Sequence, residues 1–466
     1  MVLWDVPLWI ALITLFVFGA TIGSFLNVCI YRMPNACREP MSIPQEIAAA
    51  WKSLLHPPSR CGYCFHPIAL RDNIPILGWF ILRGRCRHCR RSYSVRYAGI
   101  ELLNGLLFAL LYWFEVPSGF YATVEQSCLY HELGPTGTGW LTPEWMLNLR
   151  FLYHLVLVEM LVVATFIDFD LRIIPDSITI PAMVVGVLGG VILGQAYIVP
   201  VWFERQDIVQ VFGGGLEMLN LPVPQEWFRP SGGVLHGGVS VPAWISSAPH
   251  LHGLAVSLAG LLVGGGIILG VRIVGHWALK QEAMGFGDVT LMAAIGSFLG
   301  WQAVVMTFFL APILALIVVA LGFFFKRQRE IPYGPYLSLA ALLVILFWKQ
   351  ISPAPLRLFE MGRFLPILAI VMFGLLLVSL WLVQSIKKLL GIRDEEFLEE
   401  GKWTSADQLS YQASSKPELY LGEWERPRSP APQTARGEWN RSHWRRGEQT
   451  LPKNGWHQHW QRRPGR

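Results

Sequence analysis

Residues 252–274 read HGLAVSLAGLLVGGGIILGVRIV, an apolar run in which Arg272 is the single formally charged side chain. An α-helix needs about 20 such residues to cross roughly 30 Å of bilayer hydrocarbon. Similar runs recur along the 466 residues, of which 53% are hydrophobic and 15% charged. Because soluble domains carry about a quarter charged residues, the composition predicts an integral membrane protein.

The runs predict an all-α polytopic membrane protein with about eight or nine transmembrane helices. The first run lacks the basic segment that precedes a cleavable signal sequence, so we expect it to be retained as a helix. Two of the spans are short for a bilayer and are expected to tilt, re-enter or merge with neighbours. The predicted spans are 8–31, 97–115, 149–167, 177–195, 252–274, 289–302, 304–325, 335–349 and 363–386.

Basic residues predict which loops face the cytoplasm. The 32–96 loop holds eleven Lys and Arg against three acidic residues, and loops rich in Lys and Arg stay on the cytoplasmic side. Alternation from there puts the N-terminus and the 116–148 and 196–251 loops outside. It also puts the basic residues of 326–329 and 387–388 inside, which agrees with the same rule.

This topology divides the chain into four predicted regions. Residues 1–31 form the first transmembrane helix, and residues 32–96 form a cytoplasmic loop. Residues 97–393 form a membrane domain with an outer-loop insertion at 196–251. The tail, 394–466, is polar and rich in Pro, Gly and Arg, so it is predicted to be disordered. Its six tryptophans lie among arginines, and we interpret the tail as solvated near the cytoplasmic lipid surface, with no nucleic-acid partner expected.

Four of the seven cysteines form two C-x-x-C pairs in the 32–96 loop. Cytoplasmic thiols stay reduced, and two such pairs in one loop are typical of a four-cysteine zinc knuckle. Four thiolates leave no open coordination position, so a structural role is predicted. Cys29, Cys37 and Cys128 are scattered, and His66 and His88 are interpreted as bystanders. The predicted metal ligands are Cys61, Cys64, Cys86 and Cys89.

Two aspartates are the candidate catalytic residues. Asp168 ends the third predicted span, and Asp288 closes the sequence GFGD at 285–288, just before the sixth. The predicted topology puts both acids at the same membrane face, although 120 residues separate them. Ionisable residues at membrane depth usually mark a functional site. A pair of carboxyl groups sharing one proton can activate a water molecule and protonate a leaving amine.

Other interpretations of these acids stay open at this point. Asp288 and Asp176 could each cap the helix that follows, as acids at helix N-termini commonly do. Asp170 and Arg172 could form an interfacial pair of little energetic weight. A transporter could use Asp168 and Asp288 as proton sites.

The motifs in their order resemble the type IV prepilin peptidases, a family of GxGD aspartyl proteases. The opening motif is GSFLNV at 23–28, followed by Tyr31 and Arg32. Between and after the cysteines lie RDNIP, LRGRC, SVRY and ELL, at 71–75, 82–86, 94–97 and 101–103. The protease motifs are ID at 167–168, running to IPD at 174–176, and GFGD at 285–288. IPYGPY at 331–336 is a further signature, with Tyr333 where Phe is commoner.

The resemblance implies a protein of the bacterial inner membrane with two activities. The first is cleavage of the leader of type IV prepilins or pseudopilins at the cytoplasmic membrane face, with Asp168 and Asp288 as the catalytic acids. The second is N-methylation of the new N-terminus from S-adenosylmethionine by the 32–96 region. Asp72, Arg83 and Glu101 are weak candidates for the methyl-donor site, and each could instead hold the loop against the membrane. A protease without methyltransferase activity is the alternative.

Overall fold

The structure is a computed structural model, and the predictions for Cys37, Cys128, residues 326–329, most of 116–148 and the tail lie outside the residues it describes. It describes residues 6–36, 42–55, 59–61, 63–116, 143–194, 196–220, 222–229, 233–234, 239–279, 284–324 and 332–389.

Helices dominate the described chain. In order they are α1 (Leu8–Ala36), α2 (Ile43–Leu55), α3 (Leu77–Ile81), α4 (Arg96–Glu115), α5 (Pro143–Leu171), α6 (Asp176–Leu193), α7 (Gln206–Met218), α8 (Ala243–Ser247), α9 (Pro249–Leu279), α10 (Phe286–Leu299), α11 (Trp301–Phe324), α12 (Gly334–Leu346), α13 (Trp348–Ile351), α14 (Pro353–Phe359) and α15 (Leu365–Leu389).

Six of these helices are long and apolar enough to cross a bilayer: α1, α4, α5, α6, α9 and α11. Shorter apolar helical stretches lie at Phe286–Leu299, Gly334–Leu346 and Gly362–Leu375. Each of the nine predicted spans therefore corresponds to a helix, and the polytopic helical fold is confirmed. The first helix runs to Ala36, beyond the predicted limit of 31, and α2 and α3 lie within the loop that follows it.

Helix α10 lies at the centre of the bundle. All residues from Val289 to Leu299 are buried, and the helix contacts α5, α6, α9, α11 and α12. A helix that is apolar on every side suits such a position, because it exposes no face to water. Asp288 stands in the first turn of this central helix.

Glycines let α9 approach its neighbours closely. A Cβ added to Gly260 would lie 1.9 Å from the carbonyl oxygen of Gly296 in α10. A Cβ added to Gly253 would lie 2.0 Å from the carbonyl oxygen of Gly190 in α6. Small residues at such crossings allow backbones in a membrane to pack against each other. These contacts fix α10 against α9, and α9 against α6.

The 196–251 region forms a small structured cap, whereas the sequence left its order undecided. Three short antiparallel strands pair in the order β1 (Glu204–Arg205), β3 (Val239–Val241), β2 (Gly233–Val234). Helix α7 packs beside them through Val209, which shares a buried cluster with Met361 and Phe364. The strands are an addition to the predicted all-helical architecture.

Hydrogen bonds attach this cap to helix ends that topology assigns to the outer face. The Trp301 indole N–H donates to the carbonyl of Val201 at 2.8 Å. Gln302 donates to the carbonyl of Pro200 at 2.7 Å, and Arg205 pairs with Glu360 at 3.1 Å. The cap therefore contacts the start of α11 and the end of α14, which topology assigns to the same side.

Candidate functional site

The two predicted acids meet at the opposite end of the bundle. Asp168 lies near the end of α5, and its carboxyl group interacts electrostatically with that of Asp288 in the first turn of α10. Asp168 is 5% exposed. Its carboxyl group accepts a hydrogen bond from the backbone N–H of Gly334, the first residue of α12. Three helices remote in sequence thus converge on one pair of carboxyl groups.

Ile174 is the packing centre of this site. A Cβ added to Gly287 would lie 2.9 Å from Ile174 Cβ. A Cβ added to Gly334 would lie 2.9 Å from Ile174 Cδ1 and 2.5 Å from Asp168 Oδ2. Both glycines are therefore needed for close approach, which a side chain would prevent. Sequence reasoning gave no role to Ile174 or Gly334, although Ile174 belongs to the motif IPD and Gly334 to the motif IPYGPY.

Three further polar side chains lie near the two acids. The Thr290 hydroxyl can donate its one proton either to the Asp176 carboxyl group or to the carbonyl of Gly287, which lies 3.1 Å away. Tyr333 lies near Asp288, and its burial, followed by that charge, raises the pKa of Tyr333 to about 12. The phenol therefore stays protonated at neutral pH and can donate a hydrogen bond. Asp176, Thr290 and Tyr333 complete a polar rim.

The alternative interpretations of the acids have distinct outcomes. Asp288 is the third residue of α10, and it accepts a hydrogen bond from the N–H of Gly285, the N-cap residue. This contact is one half of a capping box, so Asp288 stabilises the helix end as well as facing Asp168. The prediction that Asp176 is an N-cap residue is wrong, because α6 begins at Asp176 and its N-cap residue is Pro175.

Asp170 forms a bidentate ion pair with Arg96, the first residue of α4. Arg96 Nη1 and Nη2 lie 2.6 and 2.7 Å from the two carboxylate oxygens. Arg172, the pairing partner considered from sequence, interacts electrostatically with Asp168. The Arg96 pair holds the start of α4 level with the end of α5, two residues from Asp168.

The four predicted cysteine ligands form a second candidate site, with all Sγ atoms within 4.8 Å of one another. The Cys61–Cys89 and Cys64–Cys86 Sγ distances are 3.8 and 4.0 Å. A tetrahedral Zn²⁺ with Zn–S bonds near 2.3 Å needs sulfur atoms about 3.8 Å apart. The cluster therefore fits zinc and can hold a metal ion.

The cluster is built from two similar turns. In each turn the first cysteine donates its N–H to a carbonyl five residues later: Cys61 to His66 at 3.0 Å and Cys86 to Arg91 at 2.8 Å. Burial disfavours the Cys86 thiolate, but the N–H groups of Cys89 and His88, together with the thiols of Cys61 and Cys89, favour it and lower the pKa of Cys86 to about 7. Backbone donors aimed at sulfur are what a bound thiolate requires. His66 and His88 stack on each other with centroids 4.4 Å apart and lie outside the four-sulfur cluster.

The three residues considered for methyl-donor binding have different surroundings. Asp72 forms a bidentate pair with Arg87 at 2.5 and 2.7 Å, which holds the pKa of the Asp72 carboxyl group below its usual range. Glu101 accepts the N–H of Ile76 at 2.6 Å. Arg83 is exposed and has a positive φ of 51°. The first two therefore hold the loop together and against α4.

Fold and site define a class: a multi-pass helical membrane protein with a pair of acids at one face and a cysteine cluster beside it. Comparison with known families gives two matches. Residues 17–114 match the bacterial peptidase A24 N-terminal domain, and residues 238–320 match the type IV leader peptidase family. The chain is thus similar to the type IV leader peptidase family in two separate regions. The matched ranges include the four cysteines and Asp288, while Asp168 lies between them.

Curated relatives carry the name prepilin leader peptidase/N-methyltransferase. The protein of Aeromonas hydrophila is 29% identical over 367 residues, which cover 74% of this chain and 93% of the relative. That of Neisseria gonorrhoeae is 28% identical over 349 residues, covering 72% and 92%. That of Myxococcus xanthus is 30% identical over 289 residues, covering 62% and 56%. No solved structure matches the chain. With its membrane-spanning helices, the chain is a multi-pass protein of the bacterial inner membrane.

Proposed function

We propose that this protein is a prepilin leader peptidase that cleaves type IV prepilins or pseudopilins with the Asp168–Asp288 pair and then N-methylates the new N-terminus. The observation that carries the proposal is the convergence of these two carboxyl groups, from α5 and α10, beside the N–H of Gly334. The names of the similar proteins supply the substrate class and the second activity.

The proposed chemistry needs one ionised and one protonated carboxyl group around a water molecule. The ionised group takes a proton from water while the water oxygen attacks the scissile carbonyl carbon. The protonated group hydrogen-bonds the carbonyl oxygen and then gives its proton to the leaving amine as the C–N bond breaks. Two neighbouring carboxylates repel, so holding one proton between them is favourable. The titration belongs to the pair and not to either acid.

Each acid of the pair accepts one backbone N–H group. A backbone donor to one carboxyl group favours its ionised form. Asp168 receives the N–H of Gly334, and Arg172 adds a positive charge. Asp288 also accepts a backbone N–H, from Gly285, but the Tyr333 phenol near it has no charge. Because the pair holds one proton between its two carboxyl groups, we propose that one acid activates the water molecule while the other carries that proton, without a fixed assignment to Asp168 or Asp288.

We propose that Cys61, Cys64, Cys86 and Cys89 hold a structural zinc ion in the 32–96 region. The ion would supply no reacting group, because four sulfur ligands fill a tetrahedral site. Its role would be to fold a loop that has few buried apolar residues. We further propose that the 32–96 region contributes the methyltransferase activity, with S-adenosylmethionine as methyl donor, and that 97–393 is the protease domain.

The test is cleavage and methylation of a purified prepilin by the full chain in proteoliposomes. We expect Asp168→Asn and Asp288→Asn each to abolish cleavage, because neither variant can share a proton between two carboxyl groups. Asp207→Asn on the outer helix α7 makes the same chemical change at an exposed position and should leave the rate unaltered. Retained cleavage by either of the first two variants would refute the assignment of the acids.

Mass spectrometry of the processed pilin separates the two activities. A mature N-terminus carrying one added methyl group, formed only when S-adenosylmethionine is present, supports the bifunctional enzyme. A cleaved but unmethylated product in its presence selects the protease-only alternative. An unprocessed substrate with the unaltered protein would overturn the proposed function.

A further inference from the structure

Helix α3, in the cysteine loop, exposes an apolar face. Leu77, Phe80 and Ile81 are 57%, 61% and 60% exposed. Their spacing of three and four residues puts them on one side of the helix. The other side is packed tightly, since a Cβ on Gly78 would lie 2.5 Å from the carbonyl oxygen of Asp72. A loop surrounded by water has no reason to turn its largest apolar side chains outward.

The contacts of α3 fix its depth relative to the membrane helices. Arg96, at the start of α4, is bound to Asp170 near the inner end of the α5 span. Glu101 lies five residues further along α4, which corresponds to about 7.5 Å of helix rise. Its carboxylate accepts the N–H of Ile76 at 2.6 Å. The first turn of α3 therefore lies deeper along α4 than the Arg96–Asp170 pair.

Side chains near that depth on α4 also face outward. Leu102 and Leu103, which follow Glu101, are 44% and 39% exposed, as expected on the lipid-facing side of a membrane helix. Arg83 and Arg85 follow α3 directly and are exposed. Arginine near an apolar segment at a bilayer surface extends its guanidinium group toward lipid phosphates. The charge beside the apolar face therefore complements an anionic leaflet.

We propose that α3 is an interfacial anchor inserted into the inner leaflet. Leu77, Phe80 and Ile81 contact acyl chains, and Arg83 and Arg85 bind the phosphates of anionic lipid. The loop predicted to be cytoplasmic is thus seated in the bilayer through α3 alone, which tethers the cysteine turns near the membrane without inserting them. This inference rests on the packing of α3 against α4 and is independent of proteolysis.

Photocrosslinking in the absence of any substrate tests the anchor. The full chain, with p-benzoylphenylalanine replacing Phe80, is reconstituted into nanodiscs of phosphatidylethanolamine and phosphatidylglycerol, irradiated, and weighed intact by mass spectrometry. The matched control carries the same probe at Phe65, an exposed phenylalanine in the first cysteine turn. We expect the Phe80 probe to add the mass of one lipid with a yield several-fold above that at Phe65.

Two further measurements keep the result decisive. p-Benzoylphenylalanine at Leu77 should also capture lipid, and this variant replaces the Phe80 variant in the test if the latter does not fold. Replacing Arg83 and Arg85 with Gln should lower the phosphatidylglycerol share of the adducts toward its share in the bilayer. Equal lipid yields at Phe80 and Phe65, or adducts at Phe80 to another protein chain in place of lipid, would overturn the anchor.

Discussion

Gly334→Ala is the sharpest test of how the acids are held. The added methyl group would lie 2.5 Å from Asp168 Oδ2, whereas ordinary contacts of a Cβ begin at 3.4 Å. Asp168 or the start of α12 must therefore shift by about 0.9 Å, which is the difference between these distances. Gly334 is not among the residues with positive φ, so alanine introduces no backbone strain. The effect is expected to be steric and confined to the site.

A misplacement of about 1 Å at a catalytic group can reduce the rate about 10²-fold. That loss corresponds to about 2.7 kcal/mol of transition-state stabilisation. We expect kcat for prepilin cleavage in proteoliposomes to fall by this order, while the protein still reaches the membrane.

Gly266→Ala in α9 is the matched control, because a Cβ there meets nothing within 4 Å. It should cleave at the unaltered rate. If Gly334→Ala cleaved as fast as Gly266→Ala, the close packing of α12 on Asp168 would have no part in catalysis.

Three other predictions concern stability and metal content. Cys61→Ser should abolish stoichiometric zinc by elemental mass spectrometry, whereas Cys29→Ser, outside the cluster, should keep it; active protein without metal would contradict the zinc assignment. Gly260→Ala should lower the thermal unfolding temperature in detergent, because its Cβ would lie 1.9 Å from a backbone carbonyl of α10; Gly270→Ala, in open space, should not. Arg96→Ala should also lower the thermal unfolding temperature. Arg96→Lys should recover only part of that loss, since lysine cannot form the two parallel hydrogen bonds that Arg96 makes with Asp170. Full recovery by Arg96→Lys would argue against the bidentate geometry.

The sequence predicted the helices well because a bilayer imposes a length and an apolarity that can be read residue by residue. It also predicted the cysteine cluster, since ligand spacing in a short loop is a local property. The proximity of Asp168 to Asp288 is consistent with topology, because alternating helices put both at one face; their catalytic pairing stays a prediction. What topology could not supply is the lateral order of the helices, and hence the contact of Gly334 with Asp168.

What the sequence missed was likewise a set of contacts that local patterns do not show. Asp176 was interpreted as a helix cap from its position before Ser177, yet its partner is Thr290, which is 114 positions away in sequence. The Arg96–Asp170 ion pair was not predicted, because its residues are 74 positions apart in sequence. The exposed face of α3 was missed because a five-residue helix is too short to give a periodic signal. Each depends on long-range packing, which local patterns do not encode.

The glycine crossing between Gly260 and Gly296 brings the backbones of α9 and α10 into direct contact. We therefore expect α10, and Asp288 in its first turn, to move little relative to α9. If a polypeptide enters the site, we expect the end of α5 and the beginning of α12 to move and make space for it. Compounds that bind between the end of α5 and the beginning of α12 should hold the site open and inhibit cleavage. No compound should fit between α9 and α10 at their crossing.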